Sequence, residues 1–278
     1  MDASPAIMTN LSTWEFQAGT LAHCDCVDWL PKIQPESIQL IAVDPPFFTG
    51  KLRVGAGESP AAYPDSWRGS KTKYVDWLLE RIRLMIPLLE LDGSLLVHLD
   101  WHAVHAVKVA LDDLMGEDHF QNEIVWRYQT GGASKKRFSR KHDTLLWYTR
   151  SDAWKFYPER IPIPRTEKAL ERARNPKGAR IASEDTHKYP EDVISIPQLN
   201  PMSNERTGYP TQKPVELMEL FVKALTDPGD GVADFFCGSG TTPVAAARLG
   251  RRWLACDSSK EAVEIARKRL HSLDRNGN

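Results

Sequence analysis

Asp44, Pro45, Pro46 and Phe47 stand at the end of a largely apolar run, Ile38 to Val43. Two consecutive prolines have no N–H for a sheet ladder and fix φ, so the chain must turn where the run stops. The turn gathers one carboxylate, carbonyls with no competing amides and one aromatic ring into a stiff cluster. Such a cluster suits an amino group conjugated to an aromatic base, whose lone pair is delocalised and whose nucleophilicity is poor. The Asp44 carboxylate and the Pro45 carbonyl can accept its two hydrogens. That draws the nitrogen toward tetrahedral geometry and places acceptor charge where positive charge develops as a methyl group arrives. Phe47 can stack on the base and hold it in line. The plain alternative is a proline-stopped strand with a solvated aspartate and a core phenylalanine.

A second constellation lies far along the chain. Gly231 to Phe236 reads as a strand, Cys237-Gly238-Ser239-Gly240-Thr241-Thr242 as a glycine turn, and about Pro243 to Leu249 as a helix. A strand from Arg252 to Cys256 ends at Asp257, and Lys260 to Leu270 forms the last helix. This is a nucleotide-binding βαβ unit in outline. Pro243 stands where a dinucleotide fingerprint needs its third glycine, and no Gly-Lys-Ser/Thr completes a phosphate loop. What remains is close backbone approach at the turn and Asp257 placed to accept bonds from ribose hydroxyls. That fits an adenosine-bearing ligand without a diphosphate.

Both constellations need strands that end at one edge of an open α/β sheet, because ligands bind there. Ile38 to Val43 reads as a buried parallel strand, and Thr20 to Cys24, ending at Asp25, as another after a mobile leader. A brief helix follows near Cys26 to Leu30. Residues 48 to 70, rich in Gly, Pro and Ser, read as a long loop that acts as a lid. Apolar residues at helical spacing predict a helix from Tyr74 to Leu89, stopped by Gly93, and Ser94 to Leu99 reads as a buried strand. A helix from about Trp101 to Met115 explains His102 and His105 as packing or surface residues. No chemistry is assigned to these two or to His98. Ile124 to Tyr128 and Thr144 to Thr149 read as strands of a hairpin around Gly131-Gly132. Residues 151 to 208 change character, with several prolines and a basic helical stretch, and read as an inserted irregular module. Pro214 to Leu225 reads as a helix opened by its proline.

At 278 residues with net charge −1, the chain has room for one large α/β domain with an inserted module and is no polycation. Its charge is unevenly placed. Between Arg127 and Arg150 seven basic residues face Asp143 alone, and between Arg160 and Arg180 seven face Glu167 and Glu171. Two adjoining basic blocks point to a polyanion-binding face, with Lys135, Lys136, Arg137, Arg140, Lys141, Arg172, Arg174 and Lys177 as its candidates. Solvated surface charge is the alternative. Cys24, Cys26, Cys237 and Cys256 lack zinc-ribbon spacing and read as reduced core thiols, so no metal is expected. No signal peptide or membrane-length apolar run is visible, and a cytoplasmic location is expected.

Together the two constellations resemble the S-adenosylmethionine-dependent DNA amino-methyltransferases, in the permuted arrangement called the beta class. In that family Asp-Pro-Pro-Tyr/Phe precedes Phe-x-Gly-x-Gly, with target recognition between them. Here Asp44-Pro45-Pro46-Phe47 precedes Phe236-Cys237-Gly238-Ser239-Gly240, and Pro210-Thr211-Gln212-Lys213-Pro214 looks like the segment before the family's methionine-side helix. The resemblance covers roughly residues 19 to 150 and 208 to 271. It implies a Rossmann-like doubly wound mixed sheet of seven strands with helices on both faces, the last hairpin strand antiparallel, and chain ends that meet. It divides the chain into a leader (1–18), a catalytic half (19–150), a target-recognition insert (151–208) and a cofactor half (209–278).

By the same resemblance S-adenosyl-L-methionine is the cofactor. Asp25 would take its adenine amino group with Cys26 alongside, Asp257 its ribose, and Phe236 and Gly238 its methionine part. Thr211, Lys213, Asp234, Ser239, Gly240 and Thr241 would complete the pocket. Tyr209 stands where the family often has His, and Phe235 where it often has Pro. The partner implied is double-stranded DNA. A homodimer and a partner restriction endonuclease are open expectations. Asp at the head of the tetrapeptide, where cytosine N4 enzymes frequently carry Ser, favours adenine N6. Cytosine N4, an RNA or protein amide substrate, and a non-catalytic DNA-binding relative are the alternatives.

Overall fold

The computed structural model describes residues 11–49, 51–54, 62–65, 70–129, 133–174, 186–200 and 202–276. Gly131, Gly132 and Lys177 lie outside them. The chain opens with an antiparallel pair, β1 (Ser12–Phe16) and β2 (Gly19–His23), so part of the expected mobile leader is an ordered edge strand. Helix α1 (Cys26–Trp29) follows, capped by the Asp25 side chain. Strand β3 (Ile38–Val43) is buried along its whole length. The expected lid contains backbone pairing, a small antiparallel hairpin of β4 (Lys51–Val54) and β5 (Ala62–Asp65).

Ser70 caps α2 (Lys71–Met85), and Pro87 in the short 3-10 turn that follows prevents the helix from reaching Leu89. Gly93 therefore does not stop a helix. It lies inside β6 (Leu89–Leu99), at a register irregularity against β3. Next come α3 (Val104–Met115), β7 (Phe120–Arg127) and β8 (His142–Thr149). In the insert, β9 (Ile163–Pro164) pairs with β10 (His187–Lys188), and α4 (Glu167–Arg174) lies between them in sequence. Then β11 (Val193–Ser195) leads to α5 (Val215–Leu225), β12 (Gly231–Asp234), α6 (Thr241–Arg248), β13 (Arg252–Asp257) and α7 (Lys260–Asn276).

The main sheet has nine strands in the order β1-β2-β13-β12-β3-β6-β8-β7-β11. Its inner seven, β2 to β7, match the sheet implied by the family resemblance, with β8 antiparallel to both neighbours. The two extra strands lie at the edges, one from the leader and one from the insert. Residue alternation along the central strands explains the layers. Ile41 and Val43 of β3 face the core under α1, α2 and α3, while Leu40 and Ala42 face the core under α5, α6 and α7. The chain ends meet as expected: β13 pairs with β2, and the Phe16 and His271 rings lie 4.9 Å apart. Among the described residues no helix is long and apolar enough to cross a membrane.

Part of the insert is tied firmly to this body. Trp126 of β7 is fully buried, and its indole nitrogen donates to the Ile196 carbonyl at 2.8 Å, just beyond β11. Trp126→Phe strands that carbonyl and is expected to cost about 1–3 kcal/mol. Urea unfolding checks the magnitude, and faster amide exchange in β11 than elsewhere in the sheet checks the location.

Candidate active site

Three segments converge at the carboxyl edge of the sheet. One is the Asp44–Phe47 corner after β3, the second is the glycine turn after β12, and the third is the 209–213 stretch before α5. They line a single cavity of about 270 Å³. Of the residues singled out from sequence, the cavity holds Asp44, Pro45, Pro46, Phe47, Thr211, Lys213, Asp234, Phe236, Gly238, Ser239, Thr241 and Asp257. Gly240 stands at the N-cap of α6 behind the turn. Asp25 and Cys26 are not brought to the lining. Asp25 caps α1 and pairs with Arg81 of α2 at 2.6 Å, and Cys26 is buried in the core. All four cysteines are buried, with no disulfide.

The corner is held by charge. Lys213 Nζ contacts one Asp44 oxygen, and His98 Nδ1 lies 3.0 Å from the other. The opposite His98 nitrogen lies 3.6 Å from Asp143, which also accepts the Tyr128 hydroxyl at 3.1 Å. Burial works to raise the Asp44 carboxyl, yet Lys213 and His98 outweigh it and hold the group below the usual carboxylate range. Burial likewise works to lower the His98 ring, and the carboxylates of Asp44 and Asp143 overcome it and raise it. With carboxylates facing both ring nitrogens, the imidazolium is the favoured form. The Phe47 ring stands edge-on to His98, centroids 5.2 Å apart, and Lys213 Nζ lies 4.9 Å from the Phe47 ring centre. Phe48, next in the chain, has φ of +57°, a conformation costly for a bulky residue, and it turns the backbone away from the corner.

The glycine turn is built as tightly. Gly238 and Gly240 have φ of +50° and +80°. The Gly238 N–H donates to one Asp257 oxygen at 2.8 Å and the Ser259 N–H to the other at 2.8 Å. The Ser258 N–H donates to the same carboxylate, which still has acceptor capacity for a ligand hydroxyl. Arg269 of α7 donates to the Ser239 carbonyl at 2.9 Å and pins the turn from outside. Phe236 and Trp77 form an aromatic wall, ring centres 5.6 Å apart, and the Arg81 guanidinium lies over the Trp77 ring at 4.2 Å.

A family described as DNA methylase, the N6/N4 methyltransferases, matches residues 38–268. The chain belongs to the N6/N4 DNA methylase family. It is 30% identical to the type II methyltransferase M2.DpnII of Streptococcus pneumoniae, over 91% of this chain and 89% of that one. It is 27% identical to the DNA adenine methyltransferase YhdJ of Escherichia coli, over 91% of this chain and 83% of that one. Among solved structures, the cytosine-N4-specific PvuII DNA methyltransferase shares the fold with a TM-score of 0.68 at 20% identity, covering 94% of each chain. The complex of M1.HpyAVI with S-adenosylmethionine does so with a TM-score of 0.58 at 22% identity, over 90% of this chain and 98% of that one. The resemblance read from the two motifs therefore holds at the level of a DNA amino-methyltransferase.

The site also draws in residues that the motifs do not point to. His98, which was assigned no chemistry, touches the tetrapeptide carboxylate. Parallel register was the available signal: Val97 of β6 is level with Val43 of β3, so the residues that follow, His98 and Asp44, stand side by side. Asp143, Trp77 and Arg269 had no comparable signal, since their partners lie far away in sequence. Tyr209, in place of the family's frequent His, is buried beside Gly238.

Asp234 carries a pH signature. Its carboxyl accepts the Phe236 N–H at 3.0 Å, and burial pushes its pKa up to about 7. Because the folded value lies above the unfolded one, this group's contribution to stability is present in acid and is lost as pH rises toward about 7. A cationic ligand in the cavity favours the carboxylate form. Binding S-adenosylmethionine at neutral pH is therefore expected to release a proton, with affinity strengthening as pH rises through about 7. Calorimetry in buffers of different ionisation enthalpy checks this, and Asp234→Asn should remove the buffer dependence.

Proposed function

We propose that this chain methylates the N6 amino group of an adenine flipped out of double-stranded DNA, as a methylase of the permuted beta arrangement. The observation that carries the reading is the shared cavity. A corner suited to an aromatic amino group and a turn suited to an adenosine-bearing ligand open onto one space. S-adenosylmethionine is the cofactor, and the residues present fit it. Asp257 keeps acceptor capacity for a ribose hydroxyl, the Phe236–Trp77 wall suits a planar ring, and Asp234 offers latent negative charge to a cation. Thr211, Ser239 and Thr241 line the remainder. When bound, the cofactor supplies an electrophilic methyl group on sulfonium.

The chain's own residues then handle the amino group. The Asp44 carboxylate and Pro45 carbonyl accept its hydrogens, Pro46 stiffens the corner, and Phe47 stacks on the base. Because Asp44 is held below the usual carboxylate range, it acts as a charged acceptor in position rather than as a base of matched pKa. The Lys213 ammonium must leave the Asp44 oxygen it occupies when the substrate amino group arrives. Flipping costs about a few kcal/mol. Phosphate contacts from Lys135, Lys136, Arg137, Arg140 and Lys141, and from Arg172, Arg174 and Lys177 of the insert, would offset it and make affinity fall with salt.

Adenine is supported by the aspartate that heads the tetrapeptide and by likeness to a relative named as an adenine methyltransferase. Cytosine N4 is the second reading, supported by the fold shared with PvuII methyltransferase. Likeness to type II methyltransferases supports a companion restriction endonuclease. The test is to express the chain in cells without DNA methylation and to sequence modified bases. N6-methyladenine at a defined sequence is the expected result, and N4-methylcytosine alone would overturn the choice of base.

A further inference from the structure

Phe138 is 99% exposed, the most exposed of the large apolar side chains in the described residues. It stands in the segment joining β7 to β8. Because β7 runs parallel to β6 and β3, this segment leaves the sheet at the same edge as Asp44. Leu145 and His98, paired across β8 and β6, line the cavity, and β8 begins three residues before Leu145. The loop thus rises from the rim of the cavity.

The loop is braced rather than loose. The Ser134 N–H donates to the Ser139 hydroxyl at 3.2 Å, and the Lys136 N–H to the Ser134 hydroxyl at 3.3 Å. These bonds close a small ring of chain around 135–138, all four of which are exposed. Arg140 anchors the base, its guanidinium carbon 3.3 Å from the Trp101 ring centre. Lys135, Lys136 and Arg137 are all exposed on the same tip. A bare aromatic ring is a poor choice for a tip that only meets water. Ringed by cations, it matches one partner, a polyanion with aromatic faces inside it.

We infer that Phe138 is the wedge that enters the base stack of duplex DNA and fills the gap left by the flipped base. The inference rests on the functional reading above. The flanking cations hold phosphates on both sides, and the ring replaces the stacking that the neighbouring bases lose. The braced loop keeps the ring projecting before DNA arrives, so little order is lost on insertion. Phe138 is a positioning residue, since it acts on the target base through the stack and not on the reacting atoms.

The test uses the full chain and oligonucleotide duplexes bearing its own methylation sequence, with the target base either paired or opposite an abasic site. On the paired duplex, Phe138→Ala should lower kcat/KM by about 10- to 100-fold. Phe138→Trp should restore most of the loss. With the target opposite an abasic site the base is already unpaired, and Phe138→Ala should come within about threefold of the wild type. S-adenosylmethionine binding should be unchanged in both variants. Equal loss on the two duplexes would overturn the wedge and leave a plain contact with DNA. No loss on either would overturn it and assign the ring to another partner. A wild-type chain that methylates neither duplex would overturn the functional reading and the wedge with it.

Discussion

Asp44→Ala is expected to lower methyl transfer by about 10³-fold while S-adenosylmethionine still binds within a few-fold of the wild-type affinity. One preorganised group aimed at developing charge is ordinarily worth about 10²–10³ in rate. In the proposed reaction Asp44 would do more than that, because it would also pull the amino nitrogen out of conjugation. The glycine turn, Asp257 and the aromatic wall are untouched by the change, so the cofactor keeps its contacts. Lys213 loses its partner, but it borders the cavity and can be rehydrated there. Single-turnover methylation and calorimetry on the same preparation separate the two effects. Transfer retained in purified Asp44→Ala protein would remove Asp44 from the chemistry. The conservative Asp44→Asn keeps one neutral acceptor oxygen without the charge, and should lower transfer less than Asp44→Ala does.

The second large effect is expected at the turn. Gly238 has φ of +50°, and a β-carbon there would stand 3.0 Å from the Tyr209 ring. A β-branched residue in that conformation costs on the order of 1–3 kcal/mol in backbone strain alone. Relief of the strain must move the Gly238 N–H away from Asp257 and push Tyr209 toward the cavity. Gly238→Val should therefore weaken S-adenosylmethionine by about 100-fold, which corresponds to about 2.8 kcal/mol. DNA binding should persist, because the basic loop joins β7 and β8, and β3 and β6 stand between it and the turn after β12. Unchanged cofactor affinity in a folded Gly238→Val protein would show that the turn does not hold the ligand.

Much of this site was legible because its parts are local in sequence. Five apolar residues in a run of six, followed by Asp-Pro-Pro, announce both a buried strand and where it ends. Glycines before a helix, with an aspartate one strand later, announce a ligand turn. Neither pattern says whether the two face each other, since 190 positions separate Asp44 from Asp234 and only sheet order joins them. The strand order places β12 directly beside β3. His98 was hidden for a different reason. It sits in a strand buried on both faces, where polar and apolar positions do not alternate and a buried histidine looks like packing. The extra edge strands were missed because β1 and β11 are short and their pairing depends on neighbours, β2 and β7, rather than on their own composition. Asp25 comes from the family pattern, and Arg81 from α2 pairs with it at the mouth of α1.

The order of the sheet also bears on how the protein is made. The β1–β2 hairpin is synthesised long before its other neighbour, β13, the last strand among the described residues. Until Arg252–Asp257 arrives, the inner edge of β2 has unpaired N–H and C=O groups and nothing to shield them. Vectorial synthesis thus leaves this hairpin waiting until the rest of the sheet has been made, and a nascent chain halted before Arg252 should display a sticky strand edge that holdase chaperones would be needed to cover.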